Sequence, residues 1–345
     1  MSGDIDGELL RSTGRFSRKG FLKAGGVSIA GAALFGVTGC ASQEAGETRG
    51  GGGLVNRGDI HIEMPTHMIP PDSNTAIMQN GAEQAAKDMG VDVKFHGPDQ
   101  FSIPDIQKIF EASIALNPHG IAATLPDADA LGPLVKNAVD QGIPTVLFNA
   151  GIDDWEKLGA LTYVGQTEKE AGVAAGKRMA EAGVKYGLCI NQLQGQQVLE
   201  ERYQGFGEGL GGNVKEIAVE GSDPIASRDG IKSALQQNPD ADGLLTLGPD
   251  VSEQALRAVE DTGKRDTVKV ATFDVSPAVL KAVQDGDLLF AIDQQMFLQT
   301  YLSVLALINY IQYRVTPVGA VTSGPNFVTG ENAQEILELS DKGFH

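Results

Sequence analysis

Two α/β sheets in tandem, each parallel and covered by helices on both faces, are what the sequence predicts. The first observation is size. The chain has 345 residues, 41% hydrophobic and 21% charged, an ordinary globular composition long enough for two domains of common size. The second is rhythm: from Asp59 onward short apolar runs alternate with amphipathic stretches, as βαβ units do. The third is that the rhythm pauses after Phe148 and restarts near Tyr163, which divides the strands into two sets.

In the first set, Asp59–Met64, Val91–Phe95, Gly120–Thr124 and Thr145–Phe148 read as strands. Asn74–Met89, stopped by Gly90, Ile103–Leu116 and Ala128–Gln141 read as the helices between them. The rhythm restarts with a short extended piece, Tyr163–Gly165, and in the second set Lys185–Ile190, Lys215–Val219, Gly243–Leu247, Val268–Phe273 and Leu288–Ile292 read as strands. Glu168–Ala182, Gln197–Gly209, Ser227–Gln237, Val251–Thr262 and Pro277–Gln284 read as helices. The uncharged stretch Phe297–Tyr313 carries Gln299, Asn309 and Gln312, which makes it an amphipathic core helix rather than a membrane span. The chain beyond it reads as irregular.

The first 39 residues read as an address. A basic stretch ends at Lys23, Ala24–Gly39 is uncharged and rich in small residues, and polar sequence follows, the order of a secretory signal. Ser17-Arg18-Lys19-Gly20-Phe21-Leu22-Lys23 resembles the twin-arginine export motif, with Lys19 in place of the second Arg. Val37-Thr38-Gly39-Cys40-Ala41 resembles a bacterial lipobox, which implies cleavage before Cys40 and a lipid on its thiol. Residues 40–58, with Gly50-Gly51-Gly52-Gly53, read as a flexible tether, so the fold is expected to begin near Asp59.

Charge excludes some partners. The formal net charge is −18; the leader carries +2, leaving −20 for the rest. Such acidity repels nucleic acid and anionic lipid surfaces and favours a soluble, monomer-prone protein. Two cysteines, Cys40 and Cys189, make no disulfide framework, and Cys189, inside a strand, reads as a buried small hydrophobe. His61, His67, His96, His119 and His345 show no metal spacing; His67, near a strand end, reads as an exposed turn residue. Gly207-Glu208-Gly209-Leu210-Gly211-Gly212 spells a dinucleotide fingerprint but ends a helix rather than opening one. No metal and no cofactor is therefore expected, and no nucleophile stands with a base in sequence context.

The strand ends carry the site signal. Open α/β sheets bind ligands at the carboxyl ends of their strands. Here Phe148 is followed by Asn149, Ile190 by Asn191, Phe273 by Asp274 and Ile292 by Asp293-Gln294-Gln295. Asn and Asp at such places also serve as helix caps and turn formers, and each position alone admits that plainer reading. As a set they point to a shared site.

From Asp59 to about Asn332 the chain resembles the periplasmic sugar-binding proteins of ATP-driven importers, the ribose-binding and autoinducer-binding type. Gln141–Asn149, Glu201–Phe206, Ala271–Pro277 and Phe290–Gln295 carry the resemblance by their order and spacing. It implies two lobes joined by three crossovers and closing on ligand as a clamp. By that resemblance the first lobe is 59–164 plus about 296–318, and the second is 165–295 plus about 319–345. It implies ligand binding by Asn149, Arg202, Asp274 and Gln294; the strand-end reading adds Asn191 and Gln295 as further candidates. Asp72-Ser73-Asn74-Thr75 stands where the ribose type has an Asn and paired Phe rings, which makes Asp72 and Asn74 candidates and leaves room for an acyclic polyol. Gly248-Pro249 stands where that type has an Asn, which makes Pro249 another. A carboxylate, a guanidinium and amides match vicinal hydroxyls, each of which donates and accepts.

These readings converge on an exported, lipid-anchored solute-binding protein, not an enzyme, that delivers a small sugar or polyol to an ABC importer permease. The alternatives are a binding protein that feeds a receptor or sensor, and a tethered hydrolase or isomerase on the same fold. A sugar-responsive DNA-binding repressor shares this fold but would begin with a helix-turn-helix head, an expectation that the export-like leader and the acidic charge do not fit.

Overall fold

Twelve strands and eleven α-helices alternate along residues 55–70, 73–340 and 342–345, the residues that the computed structural model describes. The leader, Cys40 and most of the tether lie outside them, as does Asp72. The first sheet holds β1 (His61–Pro65), β2 (Asp92–His96), β3 (Gly120–Ala123), β4 (Thr145–Phe148), β5 (Tyr163–Gln166) and β11 (Val321–Gly324), in the order β11-β5-β4-β3-β1-β2, all parallel. The second holds β6 (Gly187–Asn191), β7 (Val214–Ala218), β8 (Gly243–Thr246), β9 (Lys269–Phe273), β10 (Ala291–Asp293) and β12 (Asn326–Val328). Its order is β12-β10-β9-β8-β6-β7, and only β12 runs antiparallel. The two sheets thus repeat one topology, with β4 in the place of β9 and β5 in the place of β10.

Parallel strands covered on both faces must be apolar on both faces. In β4 all four residues are buried, and successive side chains enter opposite layers. Val146 and Phe148 pack with α1 (Ser73–Met89) and α10 (Met296–Tyr313); Leu147 packs with α2 (Ile103–Ala115) and α3 (Ala128–Asp140). The second sheet is sandwiched in the same way. Leu188 and Ile190 face the layer of α7 (Pro224–Gln237), α8 (Pro249–Asp261) and α9 (Pro277–Asp285), and Cys189 faces α5 (Glu168–Glu181) and α6 (Gln197–Gly209). Truncating Phe148, fully buried at the end of β4, to Ala would cost about 3–5 kcal/mol.

Helix starts follow local chemistry. Ser102, Asp127, Asp223 and Ser276 each accept a first-turn N–H of α2, α3, α7 and α9, and Pro104, Pro224 and Pro277 occupy first-turn positions where no N–H is needed. Between α5 and α6 the backbones touch. A Cβ on Gly205 would lie 2.1 Å from Lys169 O, and one on Gly172 would lie 2.3 Å from Arg202 O. Only glycine permits that approach, and Glu168 and Arg202 ride on these two helices.

The structure differs from the sequence reading after α10. That region holds β11, β12 and α11 (Ala333–Ser340), and Trp155–Leu158 forms the additional short helix α4. β11 extends the first sheet, so the third passage between sheets falls between Gly324 and Asn326 rather than near residue 319. The segment between α10 and β11 returns the chain to the edge of the same sheet. The other two passages fall at 166–168 and 293–296.

Candidate functional site

Asn149 and Asp274 leave equivalent strands in the same unusual conformation. Each follows a buried Phe, at the ends of β4 and β9, with φ of 61° and 64°. That left-handed region suits short polar side chains and is otherwise avoided, and strain of this kind gathers at functional sites. The backbone is fixed by the neighbouring strand: Asn149 N–H donates to Val164 O at 3.0 Å and Asp274 N–H to Ile292 O at 2.8 Å. Asp274 is no helix cap, since Ser276 caps α9.

Gln294, at the second passage, joins the two. Its Nε2 donates to Asp274 Oδ1 at 2.7 Å, and its Oε1 accepts from Asn149 Nδ2 at 2.9 Å. Gln299, in the first turn of α10, holds this bridge. Its Oε1 accepts from Asn149 Nδ2 at 3.0 Å, and its Nε2 reaches Gln294 Oε1 and Ser323 Oγ at 3.0 Å. Ser323 Oγ donates in turn to Gln294 O at 2.7 Å, so the second and third passages are tied together. Both bonds of the Asn149 side chain to this bridge run through Nδ2, which leaves Oδ1 as the atom to offer a ligand.

Arg202 is 3% exposed and approaches Asp274 from α6. Its Nε and Nη2 donate to Glu168 Oε2 and Oε1 at 2.6 and 3.2 Å, and Nη1 donates to Leu247 O at 3.2 Å and Asp274 Oδ2 at 3.4 Å. Four of its five N–H groups are thereby used, and the guanidinium lies 4.4 Å from the centroid of the Phe273 ring. Burial alone would lower its pKa, but the Glu168 and Asp274 carboxylates outweigh that and raise it, so Arg202 stays charged. The Asp274 carboxyl is pushed up by burial and partly pulled back by Arg202 and Gln294. Asn74, at the start of α1, brings its Nδ2 to 3.4 Å from Asp274 Oδ2, so both lobes meet at this carboxylate.

The structure brings Asn149, Arg202, Asp274, Gln294 and Asn74 into one cluster. Three other candidates do not join it. Asn191 is a turn former: its Oδ1 accepts from Leu193 N–H at 3.0 Å and its Nδ2 donates to Glu216 at 2.8 Å. Pro249 opens α8, a place its fixed φ favours. Gln295 faces a separate depression beside Leu298 and Thr322–Asn326.

Two residues of the network, Glu168 and Gln299, have no strand-end signature and escape sequence reasoning. Next to Asn191, Gln192 holds a buried Oε1 without a protein partner and packs its amide against Gly248, where a Cβ would sit 2.6 Å from Nε2. Ser73 Oγ, at the start of α1, is likewise buried and unbonded. His67 corrects the reading of an exposed turn residue. It is 6% exposed, its Nδ1 is 2.9 Å from Thr124 Oγ1, and burial lowers its pKa to about 4. Cys189 is fully buried, and burial raises its thiol pKa well above the usual range.

Residues 67–314 match the model of the periplasmic binding protein domain. The chain belongs to that family. A carbohydrate transporter from Acidothermus cellulolyticus, solved in complex with myo-inositol, has the same fold with a TM-score of 0.79 and 37% identity. The match covers 83% of this chain and 99% of that one. The xylose/arabinose-binding protein of Sulfolobus acidocaldarius is 25% identical over 283 residues, 76% of this chain and 69% of that one. The ribose import binding protein of Escherichia coli is 28% identical over 174 residues, 49% of this chain and 57% of that one. The two-lobe architecture with three passages is thus the fold of a sugar-binding transport family. No helix among the described residues is long and apolar enough to cross a membrane.

Proposed function

We propose that this chain is the extracytoplasmic, lipid-anchored solute-binding protein of an ABC importer, and that its lobes close on a small neutral sugar or polyol. The observation that carries the ligand class is Asp274, a buried carboxylate on which donors from both lobes converge. A polyol hydroxyl can replace any of these donors, while Asn149 Oδ1 and the remaining N–H of Arg202 address its neighbours. A ligand lacking a hydroxyl would strand a buried partner, which is how such a site discriminates. The set contains amides, a paired guanidinium and a carboxylate, groups suited to holding hydroxyls rather than to attacking them. Myo-inositol in the relative at 37% identity puts cyclitols first among the compounds to try, followed by pentoses and linear polyols.

A thermal-shift screen over cyclitols, pentoses, hexoses and linear polyols tests the ligand class. Ligand that binds only the folded form raises the melting temperature by mass action. A rise with at least one neutral polyhydroxylated compound is expected, and no rise with any of them contradicts the reading. Membrane attachment through Cys40 is tested separately: Cys40→Ser is expected to abolish incorporation of labelled fatty acid, and a variant that still incorporates it contradicts the anchor.

A further inference from the structure

We infer that Glu168 sets the charge class of the ligand: by holding Arg202 in a two-pronged ion pair it withdraws the guanidinium from service as an anion receptor and restricts the cleft to uncharged polyols. The inference rests on the polyol-site reading above and assigns its selectivity to one residue.

Placement begins with the chain path. Glu168 is the first residue of α5, immediately after the first passage between sheets, where the helix N-terminus favours a carboxylate. Gln166 Nε2 donates to its Oε2 at 2.9 Å and helps to fix it. The glycine contact between α5 and α6 then brings Arg202 within 2.6 Å. Both partners are about 3% exposed, so their charges are little screened.

The charges do not cancel. Glu168 and Asp274 face one Arg202, which leaves the buried group one negative charge in excess. Asn74, Asn149 and Gln294 add none. A depression that reaches Asn149 and Glu168 is also lined by Asp153, Asp154 and Glu201, and by no Lys or Arg. A sugar acid or sugar phosphate seeking Arg202 meets a guanidinium with one spare N–H. To gain a second it must displace Glu168, Asp274 or the Leu247 carbonyl; either carboxylate left buried without its partner is strongly unfavourable, and the anion adds its own charge to theirs. A neutral polyol needs only the spare N–H, the amides and Asp274.

Two matched pairs of probes test this by titration calorimetry: myo-inositol with myo-inositol 1-phosphate, and D-glucose with D-glucuronate. The parent is expected to prefer the neutral member of the pair it binds by about 100-fold or more. Glu168→Gln keeps the shape and removes the charge, and is expected to narrow that preference by about tenfold or more, through gain of the anionic member. Glu168→Asp keeps the charge and is expected to keep the preference, even at lower affinity. A parent that binds the anionic member as tightly as the neutral one overturns the inference without any variant. So does a folded Glu168→Gln with the parent's ratio, or a Glu168→Asp that loses the ratio. If the parent binds neutral polyols and only the ratio fails to move, the polyol reading stands and Glu168's role falls. If the parent binds neither member of any pair and no polyol in the screen, both fall.

Discussion

Gln294 donates to Asp274 at 2.7 Å and accepts from Asn149 at 2.9 Å, so one amide at a chain passage links the strand-end residues of the two lobes. Asn149 and Asp274 occupy equivalent positions in repeated sheets, both at positive φ. The hinge and the candidate site are therefore parts of one hydrogen-bonded network.

Gln294→Ala leaves Asp274 Oδ1 without its donor and returns only part of the network to water. A buried polar group left unbonded costs about 1–3 kcal/mol. A loss of ligand affinity of about fivefold or more is expected by calorimetry, together with a lower melting temperature. A variant unchanged in both contradicts the network.

Gly205→Ala forces α5 and α6 apart, because the new Cβ meets backbone at 2.1 Å and backbone cannot turn aside. Overpacking of this kind costs about 1–3 kcal/mol or more. Scanning calorimetry should show a melting temperature about 5 °C lower. Ligand affinity should fall as well, since Glu168 and Arg202 move with the helices. Gly207→Ala has open space around the new Cβ and is the control expected to leave both unchanged.

Acid should destabilise the protein through His67. Its folded pKa is lowered by burial to about 4, below the unfolded value near 6.5. The stability tied to its neutral form is complete above pH 6.5 and is lost as pH falls toward 4, about 3 kcal/mol in all. Asp274, whose carboxyl is raised by burial, acts in the opposite sense, so the test compares parent with His67→Gln. Urea unfolding at pH 7, 5.5 and 4.5 should show a gap between the two that narrows as pH falls. A gap that stays constant contradicts the assignment.

Closure is expected to depend on ligand. Asn74 of the first lobe lies within hydrogen-bond reach of Asp274 of the second, the contact that a hinged clamp makes when shut. Small-angle scattering should show a smaller radius of gyration with saturating ligand than without. Equal radii contradict a moving clamp.

Much of the fold was legible because its signals are local. Thr145–Phe148 and Gln197–Gly209 stand where the periodicity places them, and Asn149 and Asp274 are betrayed by a polar residue at the end of an apolar strand. The misses have physical causes. Val321–Gly324 and Asn326–Val328 are short edge strands that show no alternation, so the return to the first sheet is invisible in sequence. Asn191 carries the same strand-end signature as Asn149, but its side chain closes its own turn, a choice made by Glu216 and the Leu193 N–H. Glu168 and Gln299 act through partners 34 and 150 residues away, Arg202 and Asn149, and no periodicity reports such pairs.

Asp274 is expected to receive the hydroxyls of a neutral polyol. Asp274→Asn preserves size and removes the charged acceptor, and loss of a charged hydrogen bond costs roughly 1.5–3 kcal/mol. Titration calorimetry with the strongest neutral ligand from the screen measures this directly, with circular dichroism to show that the variant is folded. The expected result is a dissociation constant raised by about tenfold or more. A folded Asp274→Asn that binds as tightly as the parent would contradict the claim.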